Sequence, residues 1–326
     1  MGRRQYPRAE SPGSALCASC KDAPPAERAL SGREHRLSAL VPSVALLLFV
    51  LAGCAQRDRI VIGSKNFTES DLLGEIVAQQ IARRTGIPVE RRFHLGGTFV
   101  CHQAITSGQI DVYVEYTGTA YTAMLKHAPV ADRDSVYRTV ARDYAQRFTL
   151  VWGKPFGFNN TFAITVRRRD ATRYGLTRIS DLTRVAPRWK AGFGYEFLER
   201  ADGFRGLASV YGLRFASPPT AMDLGLTYRA LAEGKVDVIA GNSTDGQIQA
   251  LDLVVLEDDR HYFPPYEAAP VIRQAAITRH PGVAAALDQL AGRISDAEMR
   301  RLNALADVEH RDIATIARDW LRASLP

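Results

Sequence analysis

The sequence predicts a bilobed α/β protein with a ligand cleft between its lobes. A nine-residue pattern occurs twice: AITSGQIDV at 104–112 returns as ALAEGKVDV at 230–238, with its Gly and Asp in register. Each copy is typical of a helix that ends at glycine and is followed by a strand. Breaks rich in proline and turn residues lie at 155–160 and 263–266. Two similar lobes joined by two crossings follow from this arrangement.

Residues 1–53 are predicted to be a leader that is removed. A mostly apolar stretch at 37–50 follows Arg33 and Arg36 and leads into Leu51-Ala52-Gly53-Cys54. This is the architecture of a secretory signal, and it resembles the bacterial lipoprotein box. We therefore expect a lipid on Cys54 and a location in the periplasm or at the cell surface. A transmembrane anchor is the alternative, but the stretch is shorter than the roughly 20 residues that span a bilayer.

The mature chain has the composition of an ordinary two-domain protein without a nucleic-acid partner. Residues 1–53 hold seven Lys or Arg and four Asp or Glu, so their removal lowers the net charge from +7 to +4. The remaining basic residues are scattered, and no basic stripe is interleaved with aromatics. Cys17 and Cys20 have the spacing of half a metal site but lack a second Cys or His pair. Cys101 is expected to be free and buried, and no cofactor is expected.

Strands and helices alternate in the first half of the mature chain, as the spacing of apolar residues indicates. Thr68 with Asp71 three residues later forms the pattern of a capping box, which predicts the start of a long helix. Lys65 lies in the turn before that helix, near backbone amides that favour anions. The predicted elements are strands at 59–63, 89–93 and 111–116 and helices from 68, around 101–105 and over 134–148.

The second half repeats this alternation and then returns to the first lobe. The segments after the repeated strands, 115–119 and 241–245, should lie at equivalent strand ends, where open α/β sheets bind ligands. We place lobe 1 at 54–157 plus 265–326 and lobe 2 at 158–264. The predicted elements are strands at 161–166, 190–194, 253–256 and 269–278, a helix start at 179–182, and helices within 282–321.

Five motifs in order along the chain identify a family. They are GSKNFTE at 63–69, LGGT at 95–98, EYTGT at 115–119, STDG at 243–246 and FPPYEAAP at 263–270. Together they resemble the substrate-binding lipoproteins of osmoprotectant ABC importers, which bind glycine betaine, choline and carnitine. The resemblance covers 60–325. It implies a type II periplasmic-binding-protein fold that delivers a quaternary ammonium compound to an ABC permease and its ATPase, as a monomer held at the membrane by lipid.

A trimethylammonium group has no N–H to donate, so its main attraction is to aromatic faces, worth about 0.5 to 2 kcal/mol per ring. Several rings arranged as a cage are therefore expected. Carried over by the resemblance, the cage positions are Tyr116 in lobe 1, Asn160 and Phe162 at the first crossing, Asn242 in lobe 2, and Tyr266 at the return crossing. These aromatics have an alternative role as half-buried packing residues.

The resemblance also places a ligand carboxylate against Lys65, Thr119 and Arg200. Arginine can donate two parallel hydrogen bonds to a carboxylate, whereas lysine acts as a point charge. The chain departs from the family at Phe162, where Tyr is usual, and at Asn242, where many members have another Tyr. We interpret the loss of this aromatic ring as a sign that the protein binds its ligand more weakly, or that it binds a different, bulkier betaine such as an ergothioneine-like or carnitine-like compound.

Two other functions are alternatives. An enzyme on the same scaffold would need an acid and a base that converge, and the candidates are His94, His102 and His261 with Glu115 and Asp245. No nucleophile motif or metal-ligand spacing joins them, so we expect no enzyme. A ligand-sensing lipoprotein without a role in osmoprotection is the second alternative. Other charged runs, at 167–169 and 257–260, are expected to be solvated faces or lobe rims.

Overall fold

The computed structural model describes residues 59–325, which belong to one compact unit that runs from Arg57 to Pro326. The predicted leader and the lipidation site Cys54 lie outside the described residues. Within 59–325, no helix is long and apolar enough to cross a membrane.

The strands of this region form two five-stranded sheets, one in each lobe. Apolar and β-branched residues dominate the central strands, as is typical of strands buried on both faces. The strands are β1 (Ile60–Gly63), β2 (Val89–Arg92), β3 (Val112–Tyr116), β4 (Leu150–Trp152), β5 (Phe162–Arg167), β6 (Ala191–Gly194), β7 (Thr220–Met222), β8 (Val238–Asn242), β9 (Leu253–Val255) and β10 (Ala268–Arg273).

Helices cover the faces of both sheets. A π-helical turn (Ala120–Met124) and two 3₁₀ segments (Ile179–Arg184 and Ala186–Arg188) accompany them. The α-helices are α1 (Thr68–Thr85), α2 (Thr98–Thr106), α3 (Thr117–Thr119), α4 (Arg133–Phe148), α5 (Arg168–Tyr174), α6 (Tyr195–Glu199), α7 (Phe204–Tyr211), α8 (Leu224–Ala232), α9 (Gln247–Ala250), α10 (Gln274–Arg279), α11 (Gly282–Asp288), α12 (Asp296–Asp307) and α13 (Ile313–Ser324).

The two sheets have equivalent topologies, which confirms the bilobed α/β prediction. Their strand orders are β2-β1-β3-β10-β4 and β7-β6-β8-β5-β9. In each sheet the fourth strand runs antiparallel to its neighbours: β10 to β3 and β4, and β5 to β8 and β9. We call the first sheet with α1–α4 and α10–α13 lobe 1, and the second sheet with α5–α9 lobe 2. The chain crosses between the lobes at 153–161 and 256–267. The lobe boundaries predicted from the sequence, after residues 157 and 264, fall within these crossings and stay a prediction.

The repeated aspartates hold the same position in each lobe. The backbone N–H of Asp111 donates to the carbonyl of Val61 at 2.7 Å, and its carboxylate accepts from the N–H of Val61 at 3.0 Å. Asp237 makes the same two bonds with Lys190, again at 2.7 and 3.0 Å. Each aspartate therefore ties the strand that follows it to the neighbouring parallel strand, and the repeat is confirmed as one structural unit used twice.

An arginine completes each copy of this unit. Arg273 at the end of β10 lies 3.3 Å from Asp111, and Arg167 at the end of β5 lies 2.7 Å from Asp237. The prediction that 167–169 is solvated is wrong for Arg167, which is buried. Its guanidinium also donates to the carbonyls of Leu231 and Val236, and these bonds compensate for the loss of water.

Other local predictions need correction. The capping box is absent: Phe67 is the N-cap residue, and the hydroxyl of Thr68 donates instead to Asp307 at 2.6 Å. The strand predicted at 269–278 ends at Arg273, and α10 begins at the next residue. Cys101 is confirmed as free and buried, and burial raises the pKa of its thiol to about 12.

The C-terminal helices pack against α1 in lobe 1. Leu72 and Ile76 on α1 share one buried apolar cluster with Leu302 of α12 and Trp320 of α13. Packing of this amphipathic helix between the sheet and the returning C-terminus holds the start of α1 in place. The first turn of α1 lies beside the cleft, so the core of lobe 1 positions a part of the site.

Candidate ligand-binding site

A cavity of about 380 Å³ lies between the two lobes. Residues from the ends of β3, β5 and β8, from the turn before α1, and from both crossings line it, as expected for an open α/β sheet. All eight residues predicted from the sequence are among its lining residues: Lys65, Tyr116, Thr119, Asn160, Phe162, Arg200, Asn242 and Tyr266. The structure therefore brings the predicted set together, while their contacts with a ligand stay a prediction.

The buried carboxylate of Glu69 supports one side of the cavity. It accepts hydrogen bonds from the Tyr116 hydroxyl at 2.7 Å, the Asn160 amide at 2.8 Å, the Asn303 amide at 2.7 Å and the Thr244 hydroxyl at 2.5 Å. Burial raises the pKa of Glu69, and the four hydrogen bonds oppose this because they favour the ionised form. Thr244 belongs to lobe 2, so this carboxylate also joins the lobes.

Asp202 has the same supporting role on the opposite side. It accepts from the Tyr266 hydroxyl at 2.5 Å and the Thr122 hydroxyl at 2.7 Å, and Arg200 donates to both of its oxygens at 2.9 and 2.5 Å. Burial opposes ionisation of Asp202, but the charge of Arg200 and these hydrogen bonds hold its pKa below the usual value. The Arg200 guanidinium lies over the rings of Phe162 and Tyr266, at 5.1 and 5.9 Å from their centroids.

Lys65 is also paired with a carboxylate. Its ammonium lies 2.5 Å from Glu115, donates to the hydroxyl of Thr98 at 3.0 Å, and lies 5.2 Å from the centroid of the Tyr116 ring. Both cations predicted to meet a ligand carboxylate are therefore neutralised by buried acids of the protein. A second carboxylate placed there would have to share a cation, which weakens its attraction to the site.

The cavity contains aromatic residues that the sequence analysis missed. These are Phe67, Phe99, Tyr195 and Phe197. Phe67 lies within the motif at 63–69, so this motif could have identified Phe67 as a residue of the cavity. Phe99 and Tyr195 are 42% and 59% exposed, which is typical of rings at the mouth of a cleft rather than of packing residues.

Negative charge exceeds positive charge around the cavity. Two cations, Lys65 and Arg200, face six acidic side chains. Glu196, Glu199 and Asp223 line the cavity, and Glu69, Glu115 and Asp202 bond to residues that line it. Aromatic faces together with an excess of carboxylates suit a cationic group.

Asn242 lies where the cavity meets a smaller one of about 180 Å³. It is the last residue of β8 and pairs with Phe162 of β5 in the antiparallel register. Its backbone N–H donates to Asp245 at 2.9 Å, and the Tyr228 hydroxyl donates to the same carboxylate at 2.6 Å. Asparagine at this position lacks the aromatic face that a tyrosine would offer to the cavity.

The residues considered for an enzyme do not converge. The His94 side chain is 65% exposed and lies 3.3 Å from Asp71, and the ring of His102 packs against Tyr144 and Phe148. Within residues 59–325, no group of three or more His, Cys, Asp or Glu is arranged to hold a metal ion. In the cleft, Lys65 is paired with Glu115, and Arg200 is paired with Asp202.

Comparisons with known proteins agree with this geometry. The OpuAC family, described as the substrate binding domain of ABC-type glycine betaine transport systems, matches residues 58–323. A glycine-betaine-binding protein of Pseudomonas aeruginosa is 38% identical over 282 residues, which cover 83% of this chain and 89% of that protein. A crystal structure of a glycine betaine/carnitine/choline ABC transporter protein is similar with a TM-score of 0.68 at 32% identity, covering 81% of this chain and 98% of that one.

A further relative is named for a different ligand and has a longer chain. The ergothioneine transport permease/ergothioneine binding protein EgtU of Helicobacter pylori is 33% identical over 289 residues. These cover 86% of this chain and 52% of that protein, so the present chain spans about half the length of that relative.

The carboxyl of Asp245 should make stability depend on pH. Burial raises its pKa to about 7, and the charges of Glu69 and Asp307 add to this. Its pKa in the unfolded chain is about 3.9. Between these two values the folded protein holds a proton that the unfolded chain releases, so the free energy of unfolding falls as pH rises from about 4 to about 7. Asp245→Asn should therefore flatten the fall in the free energy of unfolding over this range, as measured by urea denaturation.

Asp134→Asn is the matched control, because that side chain is 84% exposed. The control should keep the wild-type slope. Equal slopes in wild type and Asp245→Asn would contradict the raised pKa.

Proposed function

The chain belongs to the OpuAC family of substrate-binding domains of ABC-type glycine betaine transport systems, and we propose that it binds a quaternary ammonium compound in the cleft and presents it to a permease. Members of this family are extracytoplasmic binding components of importers and not enzymes. The proposed ligand is of the betaine, carnitine or ergothioneine type, as the family and the relatives support. The aromatic cage and the delivery to a permease are parts of the same proposal.

The observation that carries the proposal is the pairing of aromatic rings with buried carboxylates. The hydroxyls of Tyr116 and Tyr266 each donate to an acid behind the ring, Glu69 and Asp202 respectively. These bonds hold the rings in place and put negative charge behind them. A cation that cannot form hydrogen bonds is attracted to ring faces of this kind.

Closure of the lobes supplies the proposed mechanism, which involves no covalent chemistry. Glu69 and Thr244 join the lobes on one side, and Thr122 and Asp202 join them on the other. A ligand that docks on one lobe gains the contacts of the other only when the cleft closes. The closed form is thus favoured by its higher affinity for the ligand.

Membrane attachment completes the proposal. A lipid at Cys54 would hold the protein near its permease, and an anchor with more than one acyl chain gives stable attachment. We also propose that the protein acts as a monomer and does not bind nucleic acid.

A bulkier betaine such as ergothioneine is the second candidate ligand, with a sensing role as an alternative to uptake. Asn242 is smaller than the tyrosine of many family members, and Phe99 and Tyr195 add exposed aromatic surface to the cavity lining. A ligand that carries a ring in addition to its trimethylammonium group could use this surface. The relative from Helicobacter pylori supports the same candidate.

Isothermal titration tests the proposed function directly. Residues 55–326 are titrated with glycine betaine, choline, carnitine, proline betaine and ergothioneine, and with glycine and histidine as unmethylated controls. We expect saturable binding of at least one methylated compound and of neither control. Binding of none, or binding of an unmethylated control as tight as that of the methylated compounds, would overturn the proposal.

Tyr116→Ala and Tyr266→Ala should each remove most of the binding. Loss of one ring face costs about 0.5 to 2 kcal/mol, and the orphaned acid disturbs the site further, so we expect the Kd to rise by roughly tenfold or more. Tyr116→Phe is the matched control, since it keeps the ring and loses only the hydrogen bond to Glu69. Unchanged affinity in both alanine variants would eliminate the cage.

Asn242→Tyr tests whether asparagine at this position removes one ring of the aromatic cage. If it does, the new ring should tighten the binding of small betaines by about 0.5 to 2 kcal/mol, as measured by titration with glycine betaine. Asn242→Leu is the control for added volume without a π face. Equal or weaker binding by the tyrosine variant would indicate a site adapted to a different, larger ligand.

A further inference from the structure

The smaller cavity of about 180 Å³ lies between the two lobes, beside the ligand cavity. Among the described residues that line it are five acids and no Lys or Arg: Glu69, Asp71 and Asp307 of lobe 1, and Asp223 and Asp245 of lobe 2. Within residues 59–325, the only ion pair of these acids is that of Asp71 with His94. The closed cleft therefore holds acids of both lobes together without a buried basic partner.

Asp245 lies in a segment of lobe 2 that lobe 1 covers. On one side of it, Thr244 donates its hydroxyl to Glu69 at 2.5 Å, and its backbone carbonyl accepts from the Asn303 amide at 2.9 Å. On the other side, Gly246 packs so closely on the backbone of α12 that a methyl group there would overlap it. Because both neighbours contact lobe 1, the Asp245 carboxyl has less water around it when the lobes are together than when they are apart.

The ionisation of Asp245 responds to these surroundings. Burial raises its pKa to about 7, and the charges of Glu69 and Asp307 act in the same direction. With the lobes apart, the carboxyl faces water, and its pKa lies nearer the ordinary value of about 3.9. Between these two values the closed form binds a proton that the open form releases, so closure takes up a proton.

The other titratable groups around Asp245 do not oppose this effect. From lobe 1 they are Glu69, Asp71, His94 and Asp307, with His310 near Asp307, and from lobe 2 they are Asp223 and Tyr228. Burial also raises the pKa values of Glu69 and Asp307, and it keeps Tyr228 neutral by raising its pKa well above the usual range. Protonation of either histidine adds positive charge. Acidification therefore lowers the negative charge between the lobes.

We propose that Asp245 makes closure of the cleft depend on protons, so that the protein closes on its ligand more readily in mildly acidic than in mildly alkaline surroundings. When ionised, Asp245 repels the acids of lobe 1 and has to give up water as the lobes close. The protonated carboxyl has neither cost. This inference rests on the proposed closure of the lobes and adds a regulation of it by pH.

The test measures affinity against pH with two probes of constant charge. Glycine betaine and choline do not titrate between about pH 6 and about pH 8, so a change in affinity belongs to the protein. Both are titrated by calorimetry into residues 55–326 of wild type, Asp245→Asn and Glu233→Gln. Asparagine at 245 keeps an oxygen that can accept from the N–H of Asn242 and the hydroxyl of Tyr228, so it removes only the titration. Glu233 is exposed on lobe 2 and controls for net charge.

Three further measurements separate closure from damage to the structure. Calorimetry in buffers of different ionisation enthalpy counts the protons taken up on binding. Small-angle X-ray scattering gives the radius of gyration of the ligand-free protein at each pH, and this radius falls when the lobes close. Thermal unfolding verifies that each variant is folded.

We expect wild type to bind the probes about tenfold more tightly at pH 6 than at pH 8, with uptake of about one proton at pH 6. Asp245→Asn should bind at pH 8 nearly as tightly as wild type does at pH 6, whereas a structural defect would weaken binding. Glu233→Gln should keep the wild-type pH dependence. Constant wild-type affinity and radius over this range, or an Asp245→Asn variant that keeps the wild-type pH dependence, would overturn this inference alone.

If neither probe binds, the scattering decides the inference by itself. A radius of gyration that falls from pH 8 to pH 6 in wild type, and stays constant in Asp245→Asn, would support it. An unchanged wild-type radius would overturn it. The proposed function is judged separately, by the full panel of methylated compounds.

Discussion

The hydrogen bonds to the buried carboxylate of Glu69 are the interaction on which the site depends. An acid that is 2% exposed must be fully hydrogen-bonded, because an unpaired buried charge costs several kcal/mol. Its donors come from four separate parts of the chain: Tyr116 at the end of β3, Asn160 at the first crossing, Thr244 in lobe 2 and Asn303 on α12. The hydrogen bonds to this one carboxylate therefore orient the Tyr116 ring, fix the first crossing at Asn160 and hold lobe 2 against lobe 1 through Thr244.

Charge around the cleft follows from the same requirement. Asp202 and Glu115 are buried, and each has a basic partner, Arg200 and Lys65, that reaches the cavity. The cations are consequently part of the structural support of the site. What remains for a ligand is a set of aromatic faces and an excess of acid. The cleft is thus complementary to a cation.

The scaffold around this site consists of one unit used twice. Asp111 and Asp237 bond to the neighbouring parallel strand in the same way, and Arg273 and Arg167 pair with them at equivalent strand ends. Cavity-lining residues lie at the opposite ends of the same strands. The two lobes thus share a framework, while the residues at the cleft differ, with Tyr116 in lobe 1 and Asn242 in lobe 2.

The sequence by itself determined the two-lobed α/β fold and the order of most of its strands, because strand and helix periodicity and glycine stops are local properties of the chain. The eight predicted site residues, all of which line the cavity, came from the family resemblance that the ordered motifs carry. Only the tertiary structure decided the partners of the charged groups. Arg167 is buried although its run of arginines indicated solvent, and Glu196 faces Thr98 from 98 positions away. Such pairings depend on which side chains folding brings within about 3 Å of one another, and hydrogen-bond geometry at that distance is set by the packing of whole elements.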